Sequence, residues 1–337
     1  MNASHPARIT LSTPHDVIAA VPHLLGFQPC DSLVVLALAG PRLTVTLRYD
    51  LPQPADIPAL SEHLVSCLAA NRADEVILLG YGTSEQVTPV LTEARDHLAG
   101  LLTIRDILRV TAGRWWSLTC TEPRCCPAEG NPCGSDGTLA AAEFTLLGSA
   151  PLPGREHVAA TIAPVGGERE AGMRAAIRRN VRQLPPGWQR GQPPAEYLAE
   201  VAAILAKPAP LPEDDAARLL VLLGSIRLRD EAWAIADSGD PQAQVELWSD
   251  LTRRAPGRYA APPASLLAYA AACMTGNGVL ARAAVERALN AAPGYSLALL
   301  LLDMLDCGAP APQLRLGLTT ADLADLYRRQ GSQPRPA

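Results

Sequence analysis

Strand signals fill the first 150 residues and then stop, and this asymmetry constrains the fold more than any single motif. Leu33 to Ala39 is an unbroken apolar run of strand length, as expected of a strand covered on both faces. Gly40-Pro41 turns the chain. Leu43, Val45, Leu47 and Tyr49 then alternate with Thr44, Thr46, Arg48 and Asp50, the period-two pattern of a half-buried strand, so the two segments form a hairpin. Val76 to Leu79, ending in Gly80-Tyr81-Gly82, is another buried strand. Leu108 to Thr111 and Arg114 to Thr119 flank Ala112-Gly113 as a second hairpin. Helices are interleaved. Thr13 as N-cap, Pro14 and Asp16 start one that must be disturbed at Pro22 and ends near Gly26. Residues 56–71 place Ile57, Leu60, Leu64 and Leu68 at helical spacing, and a further helix spans about Ser84 to Leu98. The sum is a layered α/β domain with a mixed sheet over residues 1–148.

Residues 149–171 hold Pro151, Pro153, Pro164 and Gly166-Gly167 and read as a linker with one short helix near 155–162. Alanine then rises, from 19 in the first 150 residues to 38 in the last 187, and residues 172–330 read as an all-α domain. Ala255-Pro256-Gly257-Arg258-Tyr259 recurs as Ala292-Pro293-Gly294-Tyr295, with the prolines 37 residues apart. Ala281, Val285 and Ala288 precede the second copy with the small-large-small spacing of a tetratricopeptide second helix, and Trp248 and Leu251 take the matching places before the first. The domain is therefore expected to be tetratricopeptide-like, built from helix pairs, and to be the part that meets a protein partner. Two such units are too few for a long peptide-binding solenoid.

The whole chain has 337 residues, 48% of them hydrophobic, and a net charge of −5, which excludes wholesale disorder. No apolar run approaches the roughly 18–20 residues of a membrane span. The opening MNASHPARIT has no apolar signal core, so a cytoplasmic location is expected. Residues 1–150 carry 9 arginines against 15 acids, a net of −6, and residues 151–337 carry 20 basic against 19 acidic residues, a net of +1. Neither half is the strongly basic module of a nonspecific nucleic-acid binder. Lys207 is the only lysine; the bias toward arginine, alanine, proline and glycine is that of GC-rich codons.

Three constellations could carry chemistry. Four of the eight cysteines, Cys120, Cys125, Cys126 and Cys133, fall within fourteen residues, directly after the Arg114 to Thr119 strand. Their readings are a structural turn with buried thiols, a zinc or other metal site, and reversible thiol chemistry. The spacing is poor for zinc, whose usual cysteine pairs lie two to four residues apart, and there is no Cys-x-x-Cys. The other four, Cys30, Cys67, Cys273 and Cys307, read as small buried hydrophobes. Gly80, Gly82 and Ser84 end a strand and open a helix, where backbone N–H groups can cradle phosphate. Glu85 stands where a dinucleotide fingerprint needs its third glycine, so an ordinary turn is the competing reading. If Asp31-Ser32, the Gly80 turn and the cysteine loop share one cleft, an enzyme or small-ligand sensor gains. If they scatter, a noncatalytic interaction or regulatory module gains. Arg174, Arg178 and Arg182 form a row at i, i+4 and i+8, with Arg179 beside it, that could grip an acidic partner or a nucleic-acid backbone, or simply be a solvated face. The histidines show no metal-ligand spacing, and no hydrolytic constellation stands out.

The motifs Leu11-Ser12-Thr13-Pro14, Leu24-Leu25-Gly26-Phe27-x-Pro29-x-Asp31-Ser32-Leu33-Val34-Val35 and Trp116-Ser117-x-x-Cys120-x4-Cys125-Cys126-Pro127-x-x-Gly130 resemble an actinobacterial family, domain of unknown function four-one-nine-two. Ala261-Pro262-Pro263 through Ala292-Pro293-Gly294-Tyr295-Ser296-Leu297-Ala298 carries the same likeness, so it spans nearly the whole chain. The resemblance implies a cytoplasmic bacterial protein and brings no activity with it. It takes in Cys120, Cys125 and Cys126 but not Cys133, which counts against a four-cysteine zinc site.

Overall fold

The structure, a computed structural model, describes residues 9–134, 138–188, 193–308 and 314–331. The chain divides into two compact units: Met1–Val158 with Cys307–Pro310, and Ala159–Asp306 with Ala311–Ala337.

The first unit is a mixed sheet in the order β2-β1-β3-β4-β5-β6 with helices between its strands. Its elements are α1 (Pro14–Leu25), β1 (Ser32–Ala39), β2 (Arg42–Asp50), α2 (Ile57–Ala70), β3 (Glu75–Tyr81), α3 (Ser84–Leu98), β4 (Thr103–Thr111), β5 (Arg114–Ser117), β6 (Asn131–Pro132), α4 (Leu139–Leu146) and α5 (Arg155–Thr161). Both expected hairpins form, β1 with β2 and β4 with β5. Only β3 and β4 run parallel, because α3 is long enough to carry the chain back over the sheet. β4 begins earlier than its apolar residues suggest, since Thr103 and Arg105 alternate with Ile104 along an exposed edge of the strand.

One face of the sheet presents Leu33, Val35, Val76, Leu78 and Ile107 to Leu64 and Leu68 of α2 and to Val87 and Leu91 of α3. On the other face Val34, Leu36, Leu79 and Leu108 are buried as well. That double burial is why β1 reads as a continuous apolar run. α1 opens on a capping box: Thr13 Oγ1 accepts from Asp16 N at 3.1 Å, and Asp16 Oδ2 accepts from Thr13 N at 3.0 Å. It closes on Gly26 at φ 80°, whose N–H donates to Pro22 O at 2.8 Å. The expected disturbance at Pro22 does not occur. Pro22 lies in the last turn, where a single missing N–H leaves the helix continuous to Leu25.

The second unit is helical: α6 (Gly167–Arg182), α7 (Ala195–Leu205), α8 (Glu213–Leu222), α9 (Ile226–Ser238), α10 (Pro241–Arg254), α11 (Ala261–Tyr269), α12 (Gly278–Ala291), α13 (Ser296–Asp306) and α14 (Thr320–Gly331). Consecutive helices from α10 to α13 pack on one another. The small residues Ala281, Ala284 and Ala288 of α12 are fully buried and let α11 approach closely; Trp248 and Tyr269 fill the interior. The two Ala-Pro-Gly segments act alike, since Ala255 caps the end of α10 and Ala292 that of α12. The residues read as a linker, 149–171, carry α5 and the first turn of α6. Of the four scattered cysteines, Cys67 and Cys273 are buried as expected. Cys30 and Cys307 are exposed, and both lie outside the elements, Cys30 before β1 and Cys307 after α13. Among the described residues no helix is long and apolar enough to cross a membrane.

Candidate functional site

The cysteine loop leaves β5 at Ser117 and folds back along it. Leu118 N donates to Ile107 O at 2.7 Å and Cys120 N to Ser117 Oγ at 3.2 Å, which starts the loop beside Asp106. Cys125 N and Cys126 N both donate to Glu122 O, at 3.1 and 2.8 Å, in one tight turn. The return limb is fixed by Trp116 Nε1 donating to Ala128 O at 3.0 Å and by Asn131 Nδ2 donating to Cys125 O at 3.0 Å. Gly130, at φ 79°, lies flat against the Trp116 ring where a Cβ would collide with it, and Arg109 stacks on that ring with Cζ 3.9 Å from its centroid.

This scaffold brings three of the four clustered thiols together. The sulfurs of Cys120, Cys125 and Cys126 all lie within 4.8 Å of one another, with Cys120 to Cys125 at 3.0 Å and Cys125 to Cys126 at 3.5 Å. Hydrogen bonding from Cys125, aided by the Glu122 backbone, draws the Cys120 thiol below its ordinary range. The same interaction with Cys120 pushes Cys125 up to about 12. Cys133 is at the other end of β5, where its N–H donates to Gly113 O at 2.7 Å; burial raises its thiol.

Asp31-Ser32 and the Gly80 turn share one end of the sheet, since Ser32 pairs with Tyr81. Ser32 is fully buried; its Oγ accepts from Arg48 Nε at 3.0 Å and donates to Cys30 O. Arg48 also pairs with Asp50 at 2.6 Å. A Cβ on Gly80 would lie 2.8 Å from Val87 Cβ and 2.9 Å from Leu91 Cδ1, so this glycine serves the close seating of α3 on β3. The first turn of α3 is closed by its own residues. Thr83 N donates to Gln86 Oε1 at 2.9 Å, and the Glu85 carboxyl is held low by its own backbone N–H and by the Thr83 side chain. Ser84 Oγ lies 3.3 Å from Thr88 Oγ1. Tyr81 is buried at this end with Cys133 nearby, its phenol held protonated chiefly by burial, and its hydroxyl has no hydrogen-bond partner among the described residues. The three converging thiols lie toward the opposite end of β4, away from Asp31-Ser32 and the Gly80 turn, and only Cys133 of the cysteine loop reaches that end.

In the helical unit, Arg174, Arg178 and Arg182 edge a groove whose floor is Ile177, Val181, Pro256 and Tyr259. Arg174 is committed to Glu170, at 2.5 Å, and Arg179 points away to Asp214, at 2.8 Å. Arg178 and Arg182 are exposed and have no ion-pair partner among the described residues. Arg258 stacks on Tyr259 with Cζ 5.5 Å from the ring centroid, which adds a further guanidinium beside the floor.

Sequence reasoning missed Pro256 and Tyr259 as part of this floor, because they lie more than seventy residues from α6. It also missed a pair on α2: Cys67 Sγ lies 3.3 Å from His63 Nε2. The i, i+4 spacing was visible. Burial raises the Cys67 thiol, which disfavours the thiolate that a nucleophile needs.

A family model described as domain of unknown function (DUF4192) matches residues 14–311. No curated protein and no solved structure matches the chain.

Proposed function

The chain belongs to the DUF4192 family, a domain of unknown function, and we propose that it is a noncatalytic interaction module whose helical unit docks an acidic protein segment. One observation carries this reading: Arg178 and Arg182, one turn apart on α6, stand unpaired among the described residues over the apolar floor of Val181, Pro256 and Tyr259. Guanidinium groups left without counter-charges favour carboxylates, which they bind in a planar, two-bond geometry. An apolar floor between them favours a ligand with a greasy side chain beside its carboxylates. An acidic amphipathic segment has both. A nucleic-acid backbone has no apolar group to fill the floor, and the unit's near-neutral charge supplies little long-range attraction. The tetratricopeptide-like reading of α10 to α13 belongs with this proposal, since paired helices with buried alanines are a scaffold on which such a groove can be held rigid.

The test is fluorescence anisotropy with a short labelled peptide that carries glutamates four residues apart around a leucine. Arg178→Glu and Arg182→Glu should each weaken binding by about 1 kcal/mol, the upper range for an exposed ion pair. Arg105→Glu, on β4 of the other unit, should leave it unchanged. Equal affinity for wild type and the Arg178/Arg182 double variant would overturn the proposal.

A second reading, small-ligand sensing by the α/β unit, is favoured by the buried Tyr81 hydroxyl opposite Ser32, which has no hydrogen-bond partner among the described residues. A small polar molecule that satisfied it would raise the melting temperature of wild type but not of Tyr81→Phe.

A further inference from the structure

We propose that Cys120, Cys125 and Cys126 form a three-thiolate site for one zinc ion, with Cys133 outside it. A tetrahedral zinc ion holds sulfur at about 2.3 Å, which sets its sulfur ligands roughly 3.8 Å apart. The protein places Cys120 and Cys125 sulfurs at 3.0 Å, Cys125 and Cys126 at 3.5 Å, and all three within 4.8 Å. Shifts of about an ångström in sulfur position bring such a triangle to the required size.

Neighbouring cysteines seldom reach one metal, because successive side chains of an extended strand point to opposite sides. Here the chain is not extended. Cys125 and Cys126 sit in the turn closed on Glu122 O, and that turn points both sulfurs the same way. The turn is held from outside by Asn131 on Cys125 O, by Ser117 on Cys120 N and by Trp116 on Ala128 O, so the ligands are arranged before any ion arrives. The rest of the loop supplies no fourth sulfur, since Cys133 is tied to Gly113 at the far end of β5. The fourth position is left to water. Cys125 is exposed, which leaves the ion a route in. On binding, each thiol releases its proton to solvent as its sulfur forms a bond to the metal; no electron is transferred.

The experiment uses the full chain, purified without oxygen or chelator, with zinc and then cobalt as probes. The expected result is about one equivalent of zinc; once that zinc is removed, cobalt should give sulfur-to-cobalt charge-transfer absorption, which added zinc abolishes. Serine at 120, 125 or 126 should each remove the stoichiometric metal, whereas Cys133→Ser should keep both metal and absorption. Should the serine variants misfold, wild type still decides the matter, because zinc must protect Cys120, Cys125 and Cys126 from alkylation while Cys30 and Cys133 react as before. Three outcomes would overturn the assignment: no bound metal with the three thiols alkylated at the rate of Cys30, loss of metal in Cys133→Ser, or a Cys120–Cys125 disulfide in the anaerobic protein.

Discussion

Gly80 shows how one residue can suggest one chemistry and perform another. In sequence, Gly80-Tyr81-Gly82 before a helix resembles a phosphate cradle. In the structure, the missing Cβ makes room for Val87 and Leu91, and Glu85 already occupies the helix end where an anion would bind. Gly80→Ala should therefore destabilise the α/β unit by about 1–3 kcal/mol, the usual cost of overpacking, measured by urea unfolding. An unaffected midpoint would mean that α3 sits farther from β3 than described. His23 gives a second expectation at this scale. Its ring stacks on Phe144 with centroids 5.1 Å apart, its Nδ1 lies 3.0 Å from Ser149 Oγ, and burial lowers its pKa below the ordinary 6.5. Below pH 6.5 the unfolded chain then binds more protons than the folded one, so stability is full above that value and is lost as pH falls from it toward the lowered folded pKa. His23→Gln should flatten this part of the pH–stability curve; an identical slope in the variant would remove His23 as its cause.

Among elements, the legible ones are those whose pattern is complete within a few residues. The capping box of α1, the apolar run of β1 and the alternation of β2 each contain their own cause, and each lies where the residues placed it. The arginine row on α6 was legible for the same reason. What it faces was not, because a groove is made by residues that meet only after folding. The cysteine loop divides the same way. Its four cysteines are evident in the chain, but only the turn on Glu122 and the return limb under Trp116 sort them into three together and one apart. A similar long-range tie fixes residues 315–317. The Asp237 side chain, at the end of α9 and 8% exposed, accepts from Tyr269 Oη, pairs with Arg315 Nε at 2.6 Å and accepts from Gly317 N at 3.1 Å. Asp237→Ala leaves these donors without an acceptor and should cost about 1–3 kcal/mol in the helical unit. Chemical denaturation followed by tryptophan fluorescence checks it, and a change below a few tenths would contradict the tie.

At the scale of the molecule, a strand-bearing unit runs to Val158 and a helical one begins at Ala159. Neither unit is one continuous stretch of chain, however. Cys307 and Gly308 return to the first unit, where Asn71 Nδ2 donates to Gly308 O at 2.6 Å, and Gly308, at φ 59°, has no Cβ to press on Cys67. Nothing local in the sequence marks this return, because its partners are some 240 residues away. Within the helical unit, the groove on α6 is the feature on which the functional account rests, and its charge and its floor make separable contributions. The most direct measurement is the affinity of wild type for the acidic peptide across a salt series, beside the Arg178→Gln/Arg182→Gln double variant and Tyr259→Ala. Binding should weaken steeply with salt in wild type, because exposed charge pairs are screened within about 8–10 Å at physiological ionic strength. The double variant should lose that slope, and Tyr259→Ala should bind more weakly with the slope intact. A salt-independent wild type, or an equal slope in the double variant, would contradict the account.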